Sequence, residues 1–348
     1  MTAREMVNAV KAHINAAGYL CVDGLVENFY LGLKAKGFVM LAGDSRMDKG
    51  VFAKLFAQAL DATAENGRFL SLAVQPDWLA ASDLLGRVNL EGKFLPGVIL
   101  DFVKRAQDDR AFPYFLCLEG INLSSVEYYL GAVVNGLETR TKPDKKPIIT
   151  EKYYGSDTTA AEKYGQIWIP DNLYVVGTVN MDEASYPLNQ KFLDRVHTME
   201  LAEEMFVKTD AFVQAKPVAA TNDLFLPRYT QIVREGENWD FVLKYFAQFQ
   251  DINAILTKAR AYIEYTLRDD VILYLMHNLH DELMPEDDAM DLAIIQKVLP
   301  RVQGSGKAVG AALNLLLEYC QEKYPKTAQK LRMMLKQLET DDFAAFWV

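Results

Sequence analysis

The stretch from Gly37 to Leu60, GFVMLAGDSRMDKGVFAKLFAQAL, constrains this chain more than any other. Phe38 to Ala42 form an unbroken apolar run, as in a strand buried on both faces of a parallel sheet. A short loop opens at Gly43, and a helix is predicted to begin near Lys49 and to run over Val51–Leu60. Strand, loop and helix N-terminus in that order are the layout of a phosphate-binding loop, where backbone N–H groups cradle phosphates. The loop residues depart from that layout. The pattern G-x-x-x-x-G-K-[ST] is met at Gly43 and Lys49 and missed at Asp48 and Gly50.

With 348 residues the chain has room for two domains and a sizeable core. Its net charge of −10 argues against a broad nucleic-acid-binding face, because phosphate contacts need clustered Lys and Arg. Direct DNA binding is therefore not expected, a local basic patch in an oligomer excepted. Cys21, Cys117 and Cys320 are scattered in apolar contexts and read as small buried hydrophobes of a reducing compartment. His277 and His280 stand three apart on a predicted helix without an evident third ligand, so no metal site is expected. No signal peptide is evident, and no apolar run reaches the ~18 residues of a membrane span. A cytoplasmic protein without a membrane partner is expected.

Taken in order, residues 1–36 read as two helices leading into the core. Strands are predicted at Phe38–Ala42, Phe69–Val74, Pro113–Glu119, Leu173–Thr178 (ending at Asn180) and Val196–Leu201. Helices alternate with them at 51–60, 98–107, 125–137 and 187–194, and a small hairpin is expected around Glu91–Gly92. This alternation predicts an α/β core over 37–202 with a mostly parallel sheet. Residues 139–166 read as an exposed insertion with a basic patch at Lys142, Lys145 and Lys146. A linker is expected over 203–238. Helices at 239–248, 251–264, 269–281, 287–298, 306–321 and 326–338 predict an all-α region over 239–348.

A working phosphate-loop NTPase fills four chemical roles: a lysine with a metal-binding hydroxyl, an acidic strand end followed by a water-activating carboxylate, a polar sensor, and an arginine from a neighbour. Lys49 fills the first role, but Gly50 stands where the hydroxyl belongs. Asp48 replaces a glycine, and Asp44 adds another negative charge. A carboxylate ~4 Å from a phosphate oxygen opposes binding by about 4 kcal/mol at an effective dielectric near 20. An outward turn of the side chain, or neutralisation by Arg46 or Lys49, would relieve that opposition. Glu119 ends the strand PYFLCLE at the metal-water position, and Gly120 follows where the activating carboxylate belongs. Glycine performs no acid–base chemistry, so hydrolysis by the usual route is expected to be lost.

The segment LYVVGTVNMDEASYPLNQKFLDRVHTMEL, Leu173 to Leu201, resembles the sensor strand and arginine-finger region of McrB-like AAA+ NTPases, the motor subunits of modification-dependent restriction systems. PDWLAASDLLG, EGINLSSVEYYLGAVVNGLE and the tail from LAIIQKVLPRVQGSG to DDFAAFWV are similar to the same group, so the likeness runs from about residue 19 to the end. The resemblance implies a P-loop AAA+ αβα core with a helical lid. It implies ring-like oligomers of like or paralogous subunits, ATP or GTP with Mg as fuel, and a McrC-like nuclease partner. By the same resemblance Asn180 corresponds to the sensor, Arg195 to the trans-acting arginine and Arg268 to the second sensor. The DNA-reading domain that precedes such cores is expected to be absent.

Asp48, Gly50 and Gly120 depart from the family pattern at its most informative positions. The leading expectation is a pseudo-NTPase acting as an interaction or regulatory subunit of a restriction or phage-defence complex, with no confident catalytic residue and no cofactor. Two alternatives stay open. One is a weakly active motor subunit that still binds ATP or GTP through Gly43, Asp48, Lys49 and Gly50. The other is a DNA-binding component using the insertion. Arg195 reads equally as an ion-pair partner of Asp194 or of a neighbouring subunit, and Arg268 as ion-paired with Asp269 and Asp270. Asn180 and Asp182 are also consistent with a tight turn. The Tyr128–Tyr129 pair and Trp78 read as packing residues.

Overall fold

The computed structural model describes residues 1–142, 145–181, 186, 188–209, 216–233, 235–236 and 238–346. They divide into two compact units, Met1–Leu226 and Pro227–Val348.

In the first unit, five apolar segments become strands: β1 (Phe38–Gly43), β2 (Phe69–Ala73), β3 (Tyr114–Glu119), β4 (Leu173–Asn180) and β5 (His197–Glu200). They pair in parallel in the order β2-β3-β4-β1-β5. β1 is buried at every position, as its uninterrupted apolar run requires, whereas the edge strand β2 alternates towards solvent. The α/β class expected from the sequence is the one the chain adopts, with a mostly parallel sheet followed by helices.

The Lys49–Ala59 helix is held through aromatic edge contacts. Phe29 meets Phe52 and Phe56 at centroid distances of 5.1 and 4.8 Å, and Phe56 reaches Phe115 of β3 at 5.9 Å. Phe225 closes this cluster against Phe115 and Tyr174. Phe225 lies within the stretch expected as a linker, and so does a short strand, Phe206–Lys208, which pairs antiparallel with Tyr19–Cys21. Neither of those two strands is evident in the sequence, because three residues are too few for an alternation to register. The hairpin around Glu91–Gly92 is present, with arms Gly86–Val88 and Phe94–Pro96.

The expected exposed insertion holds two short helices, Glu151–Tyr154 and Thr158–Tyr164. At its start Arg140 is buried, with Nη1 donating to the carbonyl of Leu173 at 3.0 Å and Nη2 to that of Leu33 at 3.4 Å.

The second unit is helical, with helices at Trp239–Leu256, Tyr265–Asp281, Glu286–Ala293, Lys307–Cys320 and Pro325–Asp341. Trp239–Leu256 is one helix where the sequence suggested a break near residue 250. Its buried residues Val242, Tyr245, Phe249, Ile252 and Leu256 keep three- and four-residue spacing across that point, so a single apolar stripe carries it through. Buried Asp291 accepts from the N–H groups of Lys326 and Thr327 at 2.9 and 2.7 Å, at the start of the last helix.

Candidate functional site

Parallel register brings three strand ends together. Gly43 at the end of β1 is paired with Asn180 at the end of β4, and Leu118 of β3 is paired with Gly177, one residue before Glu119. Gly43, Glu119 and Asn180 therefore share the carboxyl edge of the sheet, where ligands of parallel α/β folds bind. The loop from Gly43 delivers Lys49 to the same edge.

Lys49 is turned back on its own loop. Its side chain is buried, 3% exposed, and its ammonium donates to the carbonyls of Gly43 at 3.1 Å and Asp44 at 2.6 Å. The two acids of the loop also have protein partners. Asp44 takes a forked contact from the Arg46 guanidinium at 2.8 and 2.9 Å and a further bond from the Arg46 N–H. Asp48 accepts from the hydroxyl of Tyr19 at 3.3 Å, and Tyr19 is stacked on Phe206. Neutralisation by Arg46 thus relieves the repulsion expected from Asp44, whereas Asp48 stays on the wall of the pocket beside the loop.

The hydrogen bonds and charge of Arg46 hold the Asp44 carboxyl down to about 2 from an ordinary 3.8. A depressed carboxyl contributes above its unfolded value, so this pairing is complete above pH 3.8 and is lost as pH falls through about 2. Replacing Arg46 with alanine is expected to return the Asp44 midpoint towards 3.8 in a carboxyl-detected NMR titration. An unmoved midpoint would contradict the pairing.

A Cβ placed on Gly50 would stand 3.2 Å from Oε1 of Glu119, so this helix start and the end of β3 are in direct apposition. The same Oε1 accepts from the hydroxyl of Ser71 at 2.6 Å. Ser71 is a site residue that sequence reasoning missed, because only strand register places β2 beside β3. Gly120 adopts left-handed backbone, φ 71° and ψ 49°, and its N–H donates to buried Thr178 at 3.0 Å. A Cβ there would lie 2.8 Å from Leu123 Cδ1. The glycine after Glu119 is thus a backbone requirement as well as a missing carboxylate.

A nucleoside triphosphate with magnesium does not fit this set in the usual way. Gly50 supplies no hydroxyl, the Lys49 ammonium is held by carbonyls, and Gly120 supplies no base. Beside the loop lies a pocket of about 580 Å³, lined among others by Lys49, Lys54, Thr63, Ser71 and Glu119.

The remaining candidates are dispersed. The carbonyl of Asn180 accepts from Asn122 at 3.3 Å, and Asp182 lies outside the described residues. Arg195 pairs with Glu138 at 3.3 Å and donates to Asn135 at 2.8 Å, partners supplied by the Gly131–Thr139 helix and not by Asp194. In the second unit Arg268 binds Asp269 at 2.6 Å and lies 3.9 Å from the centre of the Phe246 ring. Of the expected basic patch, Lys145 is drawn against Trp168 and Asp171. Tyr129 is buried, as expected of a packing residue, but Tyr128 is 70% exposed.

Cys117 and Cys320 are buried, and burial pushes each thiol up to about 12; Cys21 is half-buried and pushed up likewise. His280 bonds Asp281 and Arg228, while His277 bonds the Tyr229 carbonyl. Among the described residues no group of three or more His, Cys, Asp or Glu is placed to hold a metal ion. No helix among them is long and apolar enough to cross a membrane.

The profile of a family described as a domain of unknown function, DUF8727, matches residues 221–343. No curated protein matches the chain. Among solved structures, a protein from Cytophaga hutchinsonii assigned as an ATPase is similar over 86% of this chain and 87% of its own, at 15% identity and a TM-score of 0.51. A full-length MCM homolog from Methanopyrus kandleri is similar over 94% of this chain and 61% of its own, at 16% identity and a TM-score of 0.41. The Cytophaga likeness shows a shared fold, a parallel-sheet α/β core followed by a helical region, and nothing finer. The MCM likeness carries no argument.

Proposed function

We propose that this chain is a McrB-like AAA+ protein that has given up nucleotide hydrolysis and serves as an interaction or regulatory subunit of a restriction or phage-defence complex. In this reading it assembles with copies of itself or with paralogous AAA+ subunits in a ring, beside a McrC-like nuclease. The observation that carries it is the self-satisfied loop: Lys49 is bound to the carbonyls of Gly43 and Asp44, where a motor would present it to phosphate. Gly50 and Gly120 support the same reading by removing the metal-binding hydroxyl and the water-activating carboxylate. Arg195 and Arg268 are then inherited positions whose side chains now make local ion pairs.

Phosphate release from ATP and GTP with magnesium tests this reading. The expected result is release at the background rate, together with an oligomeric mass by light scattering. Turnover that disappears in Lys49→Ala would overturn it. One observation favours a second reading, weak nucleotide binding without turnover: the pocket beside the loop, about 580 Å³, which keeps Lys49, Lys54 and Glu119 on its wall.

A further inference from the structure

A second pocket, about 600 Å³, lies among the hairpin arm Gly86–Val88, the Val126–Tyr129 helix and the Glu151–Tyr154 helix. Arg87 and Lys152 line it, and neither has an ion-pair or hydrogen-bond partner among the described residues. Among the described residues no carboxylate lines it. Of the acids nearby in sequence three have partners elsewhere, while Glu151 precedes Lys152 on its helix and does not line the pocket. Asp83 accepts from the N–H groups of Leu79 and Ala80, and Asp157 from those of Phe94 and Ala160. Glu127 accepts from the Ser125 hydroxyl. In a chain of net charge −10 this is a local reversal of sign. Two tyrosines, Tyr128 and Tyr153, complete the wall. Tyr128 stands 70% exposed and the neighbouring Leu79 67% exposed, although Tyr129 beside them in sequence is buried.

Paired cations beside flat aromatic faces match a ligand that is anionic at one end and planar at the other. We propose that this pocket binds a nucleoside phosphate unit, with its base against Tyr128 and Tyr153 and its phosphate against Arg87 and Lys152. Base–tyrosine stacking tolerates any sequence because every base has a π-face. The pocket volume falls within the range of small-ligand sites. An acidic peptide offers the charge without the planar face. The unit can belong to a single strand or be a free mononucleotide, since the recognised chemistry is the same. The acidic balance of the chain opposes a broad nucleic-acid face, not a pocket of one unit. This site is independent of the loop at Lys49 and of the reading given to it.

The test is fluorescence anisotropy of the full chain with labelled oligothymidylate and oligouridylate at low salt, where phosphate contacts are strongest. Unlabelled mononucleotides serve as competitors and a labelled oligoglutamate as a comparison. The expected result is oligonucleotide binding that weakens about tenfold or more in the double variant Arg87→Ala/Lys152→Ala and about tenfold in Tyr128→Ala. Lys49→Ala should leave it unchanged. Arg87, Lys152 and Tyr128 are exposed, so these variants retain the fold. Mononucleotide binding as tight as that of the oligonucleotides would support the site with a free nucleotide as ligand, and preference for the oligonucleotide would support a strand. Absence of binding by both, binding untouched by the pocket variants, or equal binding of oligoglutamate would overturn the proposal.

Discussion

Arg140→Met is expected to destabilise the first unit by about 2–4 kcal/mol, as two buried carbonyls lose their donor at about 1–3 kcal/mol each and the desolvated guanidinium gives part of that back. Arg140 ties three elements. It sits just after the Gly131–Thr139 helix, bonds Leu173 at the start of β4, and bonds Leu33 near the end of the Leu25–Lys36 helix. Its guanidinium also lies 5.0 Å from the centre of the Tyr174 ring. Burial lowers its pKa from the ordinary arginine value. For a unit of this size the loss corresponds to a fall in melting temperature of roughly 5–15 °C. Arg140→Lys should recover only part of it, because an ammonium lacks the planar fork that reaches both carbonyls. A fall within about 2 °C for Arg140→Met would show that the guanidinium is not the tie it is taken for here.

The second large effect concerns the three positions that depart from the phosphate-loop pattern. The triple variant Asp48→Gly, Gly50→Thr and Gly120→Glu restores the missing motif residues on paper, and it is expected to remain at background turnover while melting earlier. The cost resides mainly at position 120. A non-glycine residue held at φ 71° costs about 1–3 kcal/mol, and the added Cβ must also displace Leu123. Restoring the hydroxyl at position 50 meets a second obstacle, since its Cβ would face the Glu119 carboxylate at 3.2 Å. Circular dichroism melts and phosphate release on the same samples check both halves. Wild-type melting together with magnesium-dependent turnover would refute the claim that the backbone at positions 50 and 120 excludes the motif residues.

The sequence shows the parts of this molecule that depend on local pattern. Phe38–Ala42 reads as a buried strand because an unbroken apolar run has few other destinations, and the strand ending at Glu119 is legible for the same reason. Lys49, Gly50 and Gly120 could be placed from spacing alone. Contacts set by tertiary packing stay hidden. Arg140 sits beside polar, exposed-looking sequence, yet its acceptors are backbone carbonyls of residues 33 and 173, which carry no side-chain signature. Ser71 joins Glu119 only through strand register. Tyr19 and Phe206 stack across 187 residues of chain, and through Tyr19 the Asp48 carboxylate acquires its partner. Tyr128 and Tyr129 are one residue type in one apolar context, and only the helix turn separates the buried ring from the exposed one.

The central claim is that the loop at Gly43–Lys49 satisfies itself and has no vacancy for phosphate. Calorimetric titration of the full chain with ATP and GTP, with and without magnesium, tests it most directly. The expected result is no saturable heat that Lys49→Ala removes, so that the loop itself binds with a dissociation constant weaker than about 1 mM, or a binding free energy less favourable than about −4 kcal/mol. Saturable binding at micromolar nucleotide, abolished by Lys49→Ala, would contradict it.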